Sequence, residues 1–422
     1  METPVKELTT RDLRKRNRSR VLRLIVRDGE TSRRHLAAAL GLSLATVTNV
    51  VADLVGEGLV RESGAFPSDG GRPTAMLSAN PEGAYFVGAS VREDGATAVI
   101  LDLSLSVIAR VDRVAGAFSD PEAMAATVTE AIDEAIRAVD RPAAIYGVGL
   151  GMPGLIQVKG DSWSGAADYV MTSNGYGQGL GWATTPTSVS RIYEHADLPT
   201  FADNGAKTQA MAESWFGAAR ELDDVLIALV GRGLGLGIIS DGRLLRGSVM
   251  GAGEWGHTKI STGGPTCSCG SRGCLGTYIG AGGIARRWRE AGGQPADDLS
   301  TAVDDLIASA SSGDERAAGV LTETIELLGL GLSNIVNLFN PERIVLGGWV
   351  GLKLTGFDLA AITGATRQRS LPQLASGFDF VPAALGRDSS AQGAALLALE
   401  SLIDHPVRRT VTADSDLITV TH

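Results

Sequence analysis

The sequence predicts a duplicated α/β body preceded by a small N-terminal winged helix-turn-helix. Three observations carry that prediction. Within the first 80 residues, three short helix-type patterns are followed by two strand-type runs. From about residue 82 strands and helices alternate, and a second series of the same kind begins near Val225. Charge divides at the same place, with a net +4 over residues 1–80 and −14 over the remainder.

In the head, residues 11–27 read as a helix offering Leu13, Val21, Leu24 and Ile25 to a core. Ser32 can cap a second helix running through Leu36 to Leu40, and Gly41 ends it. Ser43 can cap a third, whose apolar positions Val47, Val50, Val51 and Leu54 repeat at helical spacing. Residues 58–62 and 74–78 then read as strands joined by a turn at 66–73, which makes a wing. Two short helices across a glycine-containing turn form a helix-turn-helix, and the second of them is the one expected in the major groove of DNA.

That pattern nominates contact residues. Thr46, Thr48 and Asn49 lie off the apolar stripe of the third helix, which Ser43 opens, and can face base edges. Residues 11–27 hold eight basic side chains, Arg18 among them, and with Arg33 these are candidates for phosphate contact. Arg72, held between glycines and Pro73, suits the minor groove. The competing reading is a helical module for protein contacts with a solvated basic face. An acidic body would repel DNA, so any such contact belongs to the head.

In the body, residues 85–90 and 96–103 read as paired strands, 121–139 as a helix and 146–150 as a strand. The second series opens with a Gly-rich strand–turn–strand at 229–240. Two such halves predict a cleft between them. Residues 1–80 and 82–404 are the expected domains, and 405–422 a mobile polar tail. No apolar run reaches membrane-spanning length, so no membrane partner is expected.

All three cysteines, Cys267, Cys269 and Cys274, fall within eight residues, and His257 lies ten residues upstream of the first. One imidazole and three thiolates fill a closed tetrahedral zinc site, and glycines at 270 and 273 let the sulfurs converge. The alternative is a loop of reduced, unligated thiols. Clustered cysteines of this kind fit a reducing, cytoplasmic setting better than a disulfide framework.

These segments together resemble the ROK family (repressors, open reading frames, kinases), in its winged-helix repressor branch and on the actin/hexokinase-like fold. The resemblance rests on the helix-turn-helix at 40–48, Gly71-Arg72-Pro73 of the wing and Gly149 to Gly154 of the sugar-cleft loop. It rests further on Glu254-Trp-Gly-His257 with the Cys267–Cys274 cluster, and on residues 339–348. It implies that Asn204, Glu254 and His257 bond sugar hydroxyls, His257 also ligating zinc.

Three departures from the family's kinases matter. Their Asp-x-Gly-Gly-Thr phosphate loop is replaced by Ser90-Val-Arg92-Glu93-Asp94, whose bulk and charge should deter ATP. The aspartate that takes the sugar hydroxyl's proton is replaced by Gly205, which has no group to accept it. A glutamate after the last cysteine is replaced by Gly276. The resemblance therefore implies a cytoplasmic transcriptional repressor without enzymatic activity. It would bind operator DNA as a homodimer or higher oligomer and sense a sugar-like small molecule. The rival is an active ATP-dependent sugar kinase carrying a DNA-binding domain.

Overall fold

The computed structural model describes residues 9–66, 74–92, 95–114, 121–141, 144–154, 156–159, 168–171, 198–404, 409–410 and 419–420. Arg72, Glu93 and Asp94 lie outside the described residues.

The head opens with α1 (Thr10–Asp28), started by a capping box: the Thr9 hydroxyl accepts from the Asp12 amide and the Asp12 carboxylate accepts from the Thr9 amide. It buries Val21, Leu22 and Ile25, whereas Leu13, expected in the core, is exposed. After the two-residue strand β1 (Thr31–Ser32) comes α2 (Arg33–Leu40), capped by Ser32 and ended by Gly41 in the left-handed conformation. Helix α3 (Leu44–Gly56) buries the four predicted positions, Val47, Val50, Val51 and Leu54. Strands β2 (Val60–Phe66) and β3 (Thr74–Ala79) pair antiparallel, and β1 joins the other edge of β3. This is the predicted winged helix-turn-helix.

The body repeats one topology. Strands β4 (Tyr85–Arg92), β5 (Gly95–Asp102) and β6 (Val107–Val114) form an antiparallel meander, and β7 (Ile145–Met152) and β10 (Thr200–Asn204) extend it in parallel from β4. A separate pair, β8 (Ile156–Lys159) and β9 (Asp168–Met171), lies between them in sequence. The second half does the same with β11 (Val225–Val230), β12 (Leu234–Ser240) and β13 (Arg243–Leu244), extended by β14 (Arg343–Gly347) and β15 (Asp379–Pro382). The strand orders 10-7-4-5-6 and 15-14-11-12-13 correspond position for position. The predicted duplication is therefore present in the hydrogen-bond pattern.

Helices cover both sheets. Helix α4 (Pro121–Arg137) packs on the first meander, and α5 (Gly205–Phe216) follows β10 directly. In the second lobe come α6 (Ala281–Glu290), α7 (Leu299–Ser311), α8 (Glu315–Phe339) and α9 (Trp349–Arg369). Helix α8 is long and apolar enough to cross a membrane, but most of it is buried as the core helix of this lobe.

The last helix, α10 (Ser389–Asp404), lies across β4 and β7 and against α5. Gly149 makes that approach possible: a Cβ there would sit 1.7 Å from the Ala394 carbonyl oxygen. The glycine assigned by resemblance to a sugar-cleft loop thus lies within β7 and serves packing. Helix α10 also joins head to body. Val21, Leu22 and Ile25 of α1 share one buried cluster with Leu396, Leu399, Leu402 and Ile403, so head and body have a continuous apolar core. Of the tail, the described residues Arg409–Thr410 pair with Thr419–Val420.

Candidate functional site

The head presents one open polar face. The Ser43 hydroxyl accepts from the Thr46 amide and lies 2.8 Å from the Thr46 hydroxyl, which fixes the start of α3. Beyond it Thr48 and Asn49 are exposed, while Thr46 is half-buried. The Thr48 hydroxyl is turned to the Leu44 carbonyl at 2.8 Å, leaving its methyl available for contact. Arg33 sits at the start of α2, bonded to Glu62 of the wing strand at 2.9 Å.

The basic residues of α1 behave differently from the expectation. Arg18 is buried and forms a 2.5 Å ion pair with Glu57 at the end of α3, so it does not reach phosphate in this arrangement. Arg14 pairs with Asp53 at 2.9 Å, and Arg20 donates to the Leu40 carbonyl at 2.8 Å. Arg23 bridges to Glu400 and Asp404 of α10. The physical reason is geometric: α1 lies between α3 and α10, both of which present carboxylates to it. Arg11, Lys15 and Arg16 are exposed, with no carboxylate partner among the described residues.

In the body, His257 ends the short turn Trp255–His257, and the cysteines follow on a loop folded back by Gly270 and Gly273, both at positive φ. One ligand atom from each of His257, Cys267, Cys269 and Cys274 lies within 4.8 Å of every other. His257 Nδ1 is 3.5 Å from Cys267 Sγ, and Cys269 Sγ is 3.7 Å from Cys274 Sγ. A tetrahedral zinc with ordinary bond lengths sets these separations at about 3.6 and 3.8 Å. The donor set therefore fits the ion. Lys259 Nζ donates to Cys274 Sγ at 3.1 Å, a contact that would favour thiolate and that spacing did not reveal. In the absence of metal, burial pushes the Cys274 thiol up to about 11, and burial lowers the His257 imidazole.

Of the residues named from resemblance, Asn204 and Glu254 are associated with α5, the first as its cap and the second through the charge of Lys207, while His257 belongs to the cysteine cluster. Asn204 caps this helix, its carbonyl accepting from the Ala206 amide at 2.8 Å while its amide donates to the Gly154 carbonyl at 2.6 Å. At Gly205 the space for a side chain remains: a Cβ would have only the Met152 carbonyl and Ser390 Oγ near it, both at 3.7 Å. The position is empty of a base, not blocked. At Gly276 a Cβ would lie 3.2 Å from the Gly256 carbonyl oxygen, so a side chain there would need its neighbour to shift by a few tenths of an ångström.

Within the first turn of α5, Lys207 is buried, donating to the Met250 carbonyl and lying 3.9 Å from Asp203. Burial lowers its pKa, against the attraction of Asp203 and Glu254. Burial likewise raises Glu254 above the usual carboxylate range, with Lys207 opposing. Asp203 is buried too and accepts from Arg246 Nε at 2.9 Å. Sequence reasoning named neither Lys207 nor Arg246 as part of the site; the only signal was the i, i+4 spacing of Asp203 and Lys207.

Of the altered phosphate loop, the described residues Ser90 to Arg92 belong to the end of β4. Arg92 Nη1 bonds Asp112 at 2.6 Å and also reaches Thr97, which ties it down to the meander. The Ser90 hydroxyl is buried with no hydrogen-bond partner among the described residues.

Comparison with known proteins agrees with this architecture. Residues 14–70 match the MarR family and residues 93–401 match the ROK family. The xylose repressor of Bacillus spizizenii is 29% identical over 393 residues, covering 93% of this chain and 97% of that protein. A glucokinase of Halalkalibacterium halodurans is 33% identical over 260 residues, covering 59% of this chain and 74% of that one. Among solved structures, a ROK family transcriptional regulator described as a homologue of the E. coli Mlc protein aligns with a TM-score of 0.73 and 25% identity. That alignment covers 93% of this chain and 97% of the other. The regulator-type relatives thus include the head, whereas the kinase match is confined to a shorter stretch. With the duplicated fold and the His–Cys cluster in place, and residues 93–401 matched, the chain belongs to the ROK family.

Proposed function

We propose that this chain is a DNA-binding transcriptional regulator whose ROK body holds zinc and senses a sugar-like small molecule without phosphorylating it. The observation that carries the reading is the pairing of an open polar face on α3 with an emptied base position at Gly205. Residues 1–80 form the DNA-binding unit and 82–404 the sensing and dimerising body, in a cytoplasmic protein. Asn204, Glu254 and His257 are the effector contacts, and xylose is the first sugar to test because of the relatives' names. His257, Cys267, Cys269 and Cys274 hold the zinc. The metal fills a closed site with no open coordination position, so its contribution is to folding and to fixing the His257 ring beside the cleft.

Two measurements test the body. Protein purified without added metal is expected to contain about one zinc per chain, and Cys269→Ser to release it and lower the melting temperature. A stable, metal-free wild-type chain contradicts the metal assignment. A coupled assay for ADP release with glucose, N-acetylglucosamine, mannose, fructose and xylose is expected to stay at background, since loss of a positioned base alone costs roughly 10²–10⁴-fold. Clear turnover would favour the kinase reading, which the glucokinase relative keeps in view.

A further inference from the structure

The buried charges around Lys207 do not end in the cleft. Asp203 Oδ2 accepts a hydrogen bond from Arg246 Nε at 2.9 Å, and Arg246 Nη2 lies 3.8 Å from Glu400 Oε2 on α10. The other oxygen of the same carboxylate, Glu400 Oε1, lies 3.4 Å from Arg23 Nη1 on α1 of the head, and Arg23 Nη2 reaches Asp404 at 3.1 Å. Glu400 is thus shared between an arginine of the head and an arginine of the body. The guanidinium of Arg23 also stands 5.9 Å from the centre of the Trp215 ring on α5.

Arg246 belongs to the same loop as the cleft residues. It lies eight positions before Glu254, and the loop between them is shaped by positive φ at Gly247, Met250 and Gly253. The Met250 carbonyl is the one that accepts from Lys207. A non-glycine residue held at positive φ stores backbone strain that its surroundings must offset. A shift of this loop therefore alters Lys207, Arg246 and Glu254 together. Arg246 cannot move without changing the field at Glu400, because both are largely buried and screened little by solvent.

We propose that Asp203, Arg246, Glu400 and Arg23 form a chain of ion pairs that couples occupancy of the ligand cleft to the position of the DNA-binding head. When a ligand engages Glu254 or displaces the loop, Arg246 is drawn from Glu400. Glu400 then either holds Arg23 more tightly or releases it, so the seating of α1 on α10 changes. Glu400 is the pivot and Arg246 the positioning residue on the cleft side. This coupling rests on the regulator reading, but its test does not require DNA.

The test is amide hydrogen exchange on the full chain. Arg246→Gln and Asp203→Asn touch no head residue among the described contacts. If the chain of ion pairs carries the coupling, each variant changes exchange in segment 19–27 of α1 by about two- to thirtyfold relative to segment 315–339 of the second lobe. Placing Arg246→Gln on an Arg23→Met background should then produce no further change in segment 19–27. Lys353→Met, which breaks an ion pair with Asp304 in the second lobe, should leave that segment as in wild type. Should Asp203→Asn fail to fold, Arg246→Gln and Glu400→Gln carry the comparison. Wild-type exchange in segment 19–27 in Arg246→Gln and Glu400→Gln, or full additivity with Arg23→Met, overturns the proposal. Binding of DNA from upstream of the protein's own gene, measured in parallel, separates the two ideas. Absent wild-type binding refutes the regulator reading while the exchange result still decides the coupling.

Discussion

Two helices of the same head, α1 and α3, present opposite kinds of surface. Helix α1 carries most of the head's positive charge, yet Arg14, Arg18, Arg20 and Arg23 are tied to α3, to the end of α2 and to α10 of the body. Helix α3 carries no basic residue, yet its start is polar and open at Ser43, Thr48 and Asn49. The difference separates abundance of charge from availability of charge. The paired arginines of α1 act as a scaffold, and on the proposed reading the surface that meets the bases is the neighbouring helix they hold in place.

The comparison breaks most visibly at Arg18. Removing this buried guanidinium by Arg18→Met leaves Glu57 without its partner and loosens α1 from α3. Because Glu57 is partly exposed, the expected loss is about 1–3 kcal/mol of folding stability. Urea unfolding of the full chain measures it, and a loss below a few tenths of a kcal/mol would make Arg18 a surface residue after all. Asn49→Ala should leave stability within about 0.5 kcal/mol of wild type but cost roughly 1–3 kcal/mol of binding at the cognate DNA site, with relaxed base preference there. Smaller still is the effect of Arg16→Ala. It should weaken every DNA sequence alike and reduce the slope of log affinity against log salt by about 1. The same change at Arg14, already paired with Asp53, should move that slope less.

Patterns with a local physical cause were legible in the sequence. Capping by Ser32 and Ser43, the helical spacing of Val47, Val50, Val51 and Leu54, and the Gly270 and Gly273 turns of the cysteine loop are all found where they were expected. The convergence of His257 on the three cysteines followed from ligand chemistry and is met by the observed separations. What failed was what depends on distant partners. Leu13 looked like a core residue by periodicity, but it is exposed among the described residues. Arg18 looked like a phosphate contact until Glu57, thirty-nine residues away, was brought beside it. Gly149 looked like part of a cleft loop, while its cause is the Ala394 carbonyl of the last helix. Glu400 gave no signal at all, because its two partners come from residues 23 and 246.

The central claim is that α3, seated by α1, reads DNA. The direct measurement is fluorescence anisotropy of a labelled duplex from upstream of the protein's own gene, competed with a scrambled duplex of equal length at fixed salt. Wild type should prefer its own sequence by roughly 10³-fold or more, and a Thr48→Ala, Asn49→Ala double variant should lose most of that preference while binding the scrambled duplex as before. Equal discrimination by wild type and the double variant would place the reading surface elsewhere and contradict the account.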